Sequence, residues 1–176
     1  MRAADDPHAA WEDWRDVRNE LFRAHPQSPL PPEARGSFTG LAYFDYDPGL
    51  RMLAEVEDAE PERREIAASG DETMVFTRAG RARFDSGALE LYWLEGYGGG
   101  LFLPFADATS GRETYGAGRY LLDTVKGADL GERDGRLVLD FNFAYNPSCA
   151  YDPQWVCPLA PPPNRLPFAV RAGERI

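Results

Sequence analysis

Apolar and polar residues alternate along this chain with two different periods, and the change falls near Phe38. Upstream, Trp11, Trp14, Val17, Leu21 and Phe22 recur at helical spacing. They form one apolar stripe on a segment otherwise filled by Glu12, Asp13, Arg15, Asp16, Arg18 and Glu20. Asp6 before Pro7 reads as an N-cap with proline at the first helical position. His25 precedes Pro26 and is pushed out of the α region, so the pattern predicts a helix over 7–24. QSPLPPEARG, residues 27–36, is a proline-stiffened extended connection.

From Phe38 the period becomes two. Leu41, Tyr43 and Asp45 alternate with Ala42, Phe44 and Tyr46, and Asp47-Pro48-Gly49 turns the chain into a strand through Leu50, Met52, Ala54 and Val56. A short strand is expected around 63–67, before a turn at Gly70-Asp71. Further strands are expected at 73–78, 81–85 and 88–94, separated by Ala79-Gly80 and Ser86-Gly87. The glycine-rich residues 96–100 reverse the chain before 101–105. RLVLDFNFAYN, residues 136–146, reads as one long strand, and 168–171 as a last one able to pair with an early strand.

Short strands with glycine turns and no second helical pattern argue for an antiparallel meander and against a parallel α/β sheet. The fold class expected is all-β: a meander of about eight to ten strands closing into a barrel, or alternatively a two-sheet sandwich. One domain then spans 1–176, with the helix at 7–24 flanking or plugging one end of a body over 38–176 and burying Trp11 and Trp14.

The unusual residues concentrate in 101–165. Asp107 opens a turn that ends at Gly111, where it accepts from the amides of Thr109 and Ser110. Gly116 and Gly118 leave one strip of chain bare, which marks a bend or a close approach by another group. Arg119 beside them needs a carboxylate or a ligand anion. Within 136–146, Leu137, Leu139, Phe141, Phe143 and Tyr145 share one strand face; Val138, Asp140, Asn142, Ala144 and Asn146 share the other. If that second face lines an interior, Asp140 pairs with Arg119, and Asn142 and Asn146 address a ligand; if it meets water, they are surface groups. The candidate ligand-binding set is Tyr115, Arg119, Tyr120, Asp140, Asn142, Tyr145 and Asn146. Cys149 and Cys157 lie in a proline-bounded loop and are readable as buried free thiols, as a loop-closing disulfide, or least readily as metal ligands, because His8 and His25 are remote.

Composition narrows the partners. With 29 acidic against 19 basic residues the net charge is −10, which repels nucleic-acid phosphates and anionic lipid. No run reaches the ~20 apolar residues of a membrane helix. The acidic N-terminus lacks the apolar core of a signal peptide, so a soluble, cytoplasmic protein is expected.

The pattern F-x-G-L-x-Y-F at 38–44, then LFLPFxDATSGxETYGxGRYL, then DFNxAYNPxCAYxPxxVCPLxPPxNRLP, resembles the uncharacterised prokaryotic family known as domain of unknown function 1684, from about Trp14 to Glu174. The resemblance carries no activity, substrate or cofactor, and it places the site in the C-terminal half. Some relatives look secreted or lipid-anchored; this chain shows no such leader.

Three functions remain open. The first is a small-molecule binding module for a polar or anionic ligand. The second is a hydrolase- or transferase-like enzyme using Cys149 as nucleophile, Asp140 or Asp152 as orienter and Arg119 as oxyanion holder, though no G-x-S-x-G or H-E-x-x-H occurs. The third is an interaction module presenting Tyr151 and Trp155. Cofactor and oligomeric state are not readable from the chain.

Overall fold

The structure, a computed structural model, describes residues 5–69, 73–95 and 99–176. The turn expected at Gly70-Asp71 and the start of the glycine run at 96–98 lie outside these. Helix α1 spans Pro7–Ala24. The Asp6 carboxylate accepts from the amides of His8 (2.9 Å) and Ala9 (3.2 Å), and His25 leaves the helix in an extended conformation before Pro26. The face it buries differs from the expected one. Trp11 and Phe22 are buried, whereas Val17 is 69% exposed. Arg18 takes the middle of the buried stripe instead, its guanidinium over the rings of Trp14, Phe22 and Tyr145. The reason is a buried carboxylate: Glu174 accepts from Arg18 Nε and from its Nη2 (3.2 Å). Burial alone would lower the Arg18 pKa, but Glu174 holds it above the ordinary value. No helix among the described residues is long and apolar enough to cross a membrane.

Eight strands make one antiparallel, curled half-barrel sheet: β1 (Arg51–Glu57), β2 (Arg63–Ala67), β3 (Thr73–Phe84), β4 (Gly87–Leu94), β5 (Leu101–Phe105), β6 (Arg119–Asp123), β7 (Glu132–Arg133) and β8 (Arg136–Asp140). Their order is β6-β5-β4-β3-β1-β8-β7, with β2 also on β3. β1 changes partner midway. Arg51–Ala54 face β8, while Glu55, Val56 and Glu57 face β3, so the sheet bends along this strand.

Four strand expectations need correction. Residues 73–84 are one strand, not two, because Ala79-Gly80 is a bulge rather than a turn. Gly80 eases the fit there: a Cβ would stand 3.0 Å from the Glu57 carbonyl oxygen, tighter than an ordinary contact. The strand expected over 136–146 stops at Asp140, whose carboxylate accepts from the Asn142 amide (3.0 Å) and caps a 3-10 turn at Phe141–Phe143. Neither 38–46 nor 168–171 forms a strand. The two ends of the chain meet instead through a single bridge, Tyr43 to Glu174, flanked by Phe44 N–H to Gly173 O (3.0 Å).

Apolar residues fill both faces of the sheet. Ala54, Leu89, Leu91, Leu103, Phe105, Leu139 and Phe141 belong to the larger core. Phe76, Tyr92, Phe102, Tyr120 and Tyr145 make a smaller aromatic one that Trp14 of α1 packs against. Trp11 ties the helix down further, donating to the Asn142 carbonyl (2.8 Å).

Candidate functional site

Three of the seven predicted site residues are consumed by the scaffold. Arg119 is 1% exposed at the start of β6, and its partner is Asp107 (2.9 Å), not Asp140. The guanidinium also donates to the carbonyls of Ala172, Val170 (2.8 Å) and Glu174 (3.1 Å). Burial lowers its pKa, against the pull of Asp107. Asp107 in turn accepts from the Thr109 amide (2.7 Å) and hydroxyl (2.6 Å), so the expected turn doubles as the counter-ion. Ser110 enters differently from expectation, its hydroxyl accepting from the Asp107 amide (3.1 Å).

The bare strip beside Arg119 is explained by the protein's own backbone. Gly118 has φ +99°, and a Cβ there would sit 2.5 Å from the Phe105 carbonyl oxygen. Asp140 pairs with Arg51 (2.9 Å) and accepts from the Asn142 side chain (2.8 Å). Asn142 exchanges bonds with the Asp47 backbone, accepting from its N–H (2.9 Å) and donating to its carbonyl (2.8 Å). Among the described residues no hydrogen bond or ion pair joins Cys149 to Asp140 or Arg119, so the catalytic arrangement expected of those three is not assembled.

The other four gather around the 146–158 loop. Tyr120 donates to Pro158 O (2.6 Å) and bridges Tyr145 backbone to backbone (2.8 and 3.0 Å). Asn146 donates its amide to Glu174 (2.7 Å) and its side-chain nitrogen to the Tyr151 hydroxyl (3.2 Å). The Tyr115 hydroxyl lies 3.6 Å from Cys149 Sγ.

Both thiols are free. Cys149 sits half-exposed in a 3-10 turn at Ser148–Ala150, and Cys157 is buried behind it. The Cys149 amide donates to Cys157 Sγ (3.4 Å). The hydrogen bond from the Cys157 thiol, assisted by Tyr115 and working against burial, draws Cys149 down to about 6. The same bond, with burial, pushes Cys157 up. Burial, with Cys149 beside it, pushes Tyr115 to about 12. Of the two sulfurs, Cys149 is therefore the one that ionises first.

Ser69 holds the loop from outside: its hydroxyl accepts from Cys157 N–H (2.9 Å) and donates to Trp155 O (2.9 Å). Sequence reasoning missed Ser69, Asp107 as the partner of Arg119, and Glu174. Ser69 and Glu174 lie far along the chain from what they touch, and neither stands in a local pattern that marks it.

Among the described residues, seven buried side-chain atoms have no hydrogen-bond partner. Four are arginine Nε atoms, of Arg15, Arg64, Arg78 and Arg119. The other three are Tyr145 Oη, Asn146 Oδ1 and Trp155 Nε1, all within one short segment. A separate recess of about 630 Å³ opens between β1, β3, the β3–β4 turn and β8, where Arg81, Arg83, Arg136, Glu55 and Asp85 line it; none of the predicted residues does. No three His, Cys, Asp or Glu side chains of the described residues gather as a metal-ligand set.

No curated protein matches the chain. The fold is similar to the solution NMR structure of an uncharacterized protein from Haloarcula marismortui, at 39% identity and TM-score 0.66 over 98% of each chain. The family model described as "Protein of unknown function (DUF1684)" matches residues 36–175, which include the whole sheet and the 101–165 stretch, and the chain belongs to that family.

Proposed function

We propose that the protein binds a small polar molecule on the face formed by Tyr115, Cys149 and the 145–157 segment. One observation carries this reading. The non-arginine buried polar atoms that lack a partner, Tyr145 Oη, Asn146 Oδ1 and Trp155 Nε1, all fall in that segment. Each such atom costs ~1–3 kcal/mol when left unsatisfied, and a ligand or its bridging water removes that cost. The three supply two acceptors and two donors in all, suited to an amide, hydroxyl or carboxylate group. The adjoining Cys149 thiolate adds a negative charge, which favours a neutral or cationic partner over a dianion.

A thermal-shift panel of small amides, polyols, amino acids and carboxylates tests the reading. A true ligand at a hundred times its Kd stabilises by ~2.7 kcal/mol, a rise of roughly 5–10 °C for a chain of this size. Asn146→Ala and Trp155→Phe should each shrink that rise. A panel without effect, or a rise that survives both substitutions, would overturn it.

A further inference from the structure

Three observations on the two cysteines belong together. Cys149 is partly exposed and Cys157 is buried. The Cys149 amide donates to Cys157 Sγ at 3.4 Å, which brings the two residues within reach of each other. Cys157 is anchored on both sides of its peptide by Ser69, which donates its amide to Cys157 O (2.8 Å), while Cys149 stands in a short 3-10 turn outside any strand or long helix. An outer attacking sulfur on a short turn, beside a fixed inner sulfur that still carries its proton, is the arrangement a two-step exchange requires.

We propose that Cys149 and Cys157 form a reversible intramolecular disulfide by exchange with a low-molecular-weight disulfide. The Cys149 thiolate attacks one sulfur of the small disulfide; that S–S bond breaks, one small thiolate leaves, and Cys149 is held as a mixed disulfide. Cys157 gives its proton to the departing thiolate or to water and attacks Cys149 Sγ, expelling the second small thiolate, which takes up a proton. Two protein thiols are oxidised and one small disulfide is reduced to two thiols. The sulfurs must close to ~2 Å, a movement the 149–157 loop supplies. Oxidation removes the charge from Cys149 and with it the partner of the Tyr115 hydroxyl, so the same face is polar and anionic when reduced and neutral when oxidised. That last consequence rests on the binding reading above; the disulfide does not.

The test equilibrates the whole protein in a series of reduced-to-oxidised glutathione ratios, quenches with acid, alkylates, and counts free thiols by mass. Wild type should pass from two free thiols to none as a monomer, without retained glutathione. Cys157→Ser should stop at one glutathione on Cys149, and Cys149→Ser should take up none at neutral pH. Two free thiols in wild type at the most oxidising ratio, stable glutathione on both sulfurs, or disulfide-linked dimers would overturn the proposal. Failure of the ligand panel leaves these masses unchanged, so the two ideas fail separately.

Discussion

Arg119 carries a full charge where no water reaches, and every acceptor around it is the protein's own. Removing it leaves Asp107 charged and buried, so Arg119→Ala should cost ~3–5 kcal/mol in urea unfolding. A ligand-binding arginine exposed in a cleft would instead cost little stability. Cys149 gives the opposite kind of residue, one poised for chemistry. A thiol drawn down to about 6 is already ionised at pH 7 and loses reactivity only as pH falls through its pKa. Its alkylation rate should therefore stay flat between pH 7 and 8.5, where an ordinary thiol gains about fifteenfold. A rise of that size, followed by mass spectrometry of the native protein, would show an unactivated sulfur. The importance of Arg119 was legible from its awkward position beside two glycines. Its partner was not, because Asp107 had a sufficient local explanation as a turn residue and Asp140 had an equal claim on paper.

At the scale of elements, local chemistry was the readable part. The ends of α1 follow from Asp6-Pro7 and His25-Pro26, and the structure keeps both. The misread elements are those where one side chain or one contact redirects the backbone. Asp140 stops β8 by capping the next turn, and Gly80 lets β3 run on past a bulge. The buried stripe of α1 was misread because Arg18 looks like a solvent residue until Glu174 is beside it. Arg18→Ala should destabilise by ~3 kcal/mol or more, since it leaves the Glu174 carboxylate buried with only Tyr43, Tyr151 and the Asn146 amide. Val17→Ala on the exposed side should change stability by no more than ~0.5 kcal/mol. Gly118→Ala puts a Cβ against the Phe105 carbonyl and Ala160 at a positive φ, and should unfold the protein or lower its Tm steeply. Gly36→Ala, with open space around it, should not. Circular dichroism melts compare the two directly.

For the molecule as a whole, the last residues close the structure. Ala172 and Glu174 carbonyls receive Arg119, the Glu174 side chain receives Arg18, and Glu174 bridges to Tyr43. Strand patterns could not foresee this, because the closing contacts are single bridges and side chains rather than a ladder. The Arg119–Asp107 and Arg18–Glu174 ion pairs belong to that closure, whereas Tyr145 Oη, Asn146 Oδ1 and Trp155 Nε1 of the 145–157 segment have no hydrogen-bond partner among the described residues. The indole N–H of Trp155 reports on that segment in a proton–nitrogen correlation spectrum, its peak assigned by loss in Trp155→Phe. Titration with the strongest thermal-shift ligand should move the Trp155 peak saturably while that of Trp93, on β4, stays in place. A stationary Trp155 with shifts confined to the amides of Arg81, Arg83 and Arg136 would contradict this and move the site to the arginine-lined recess.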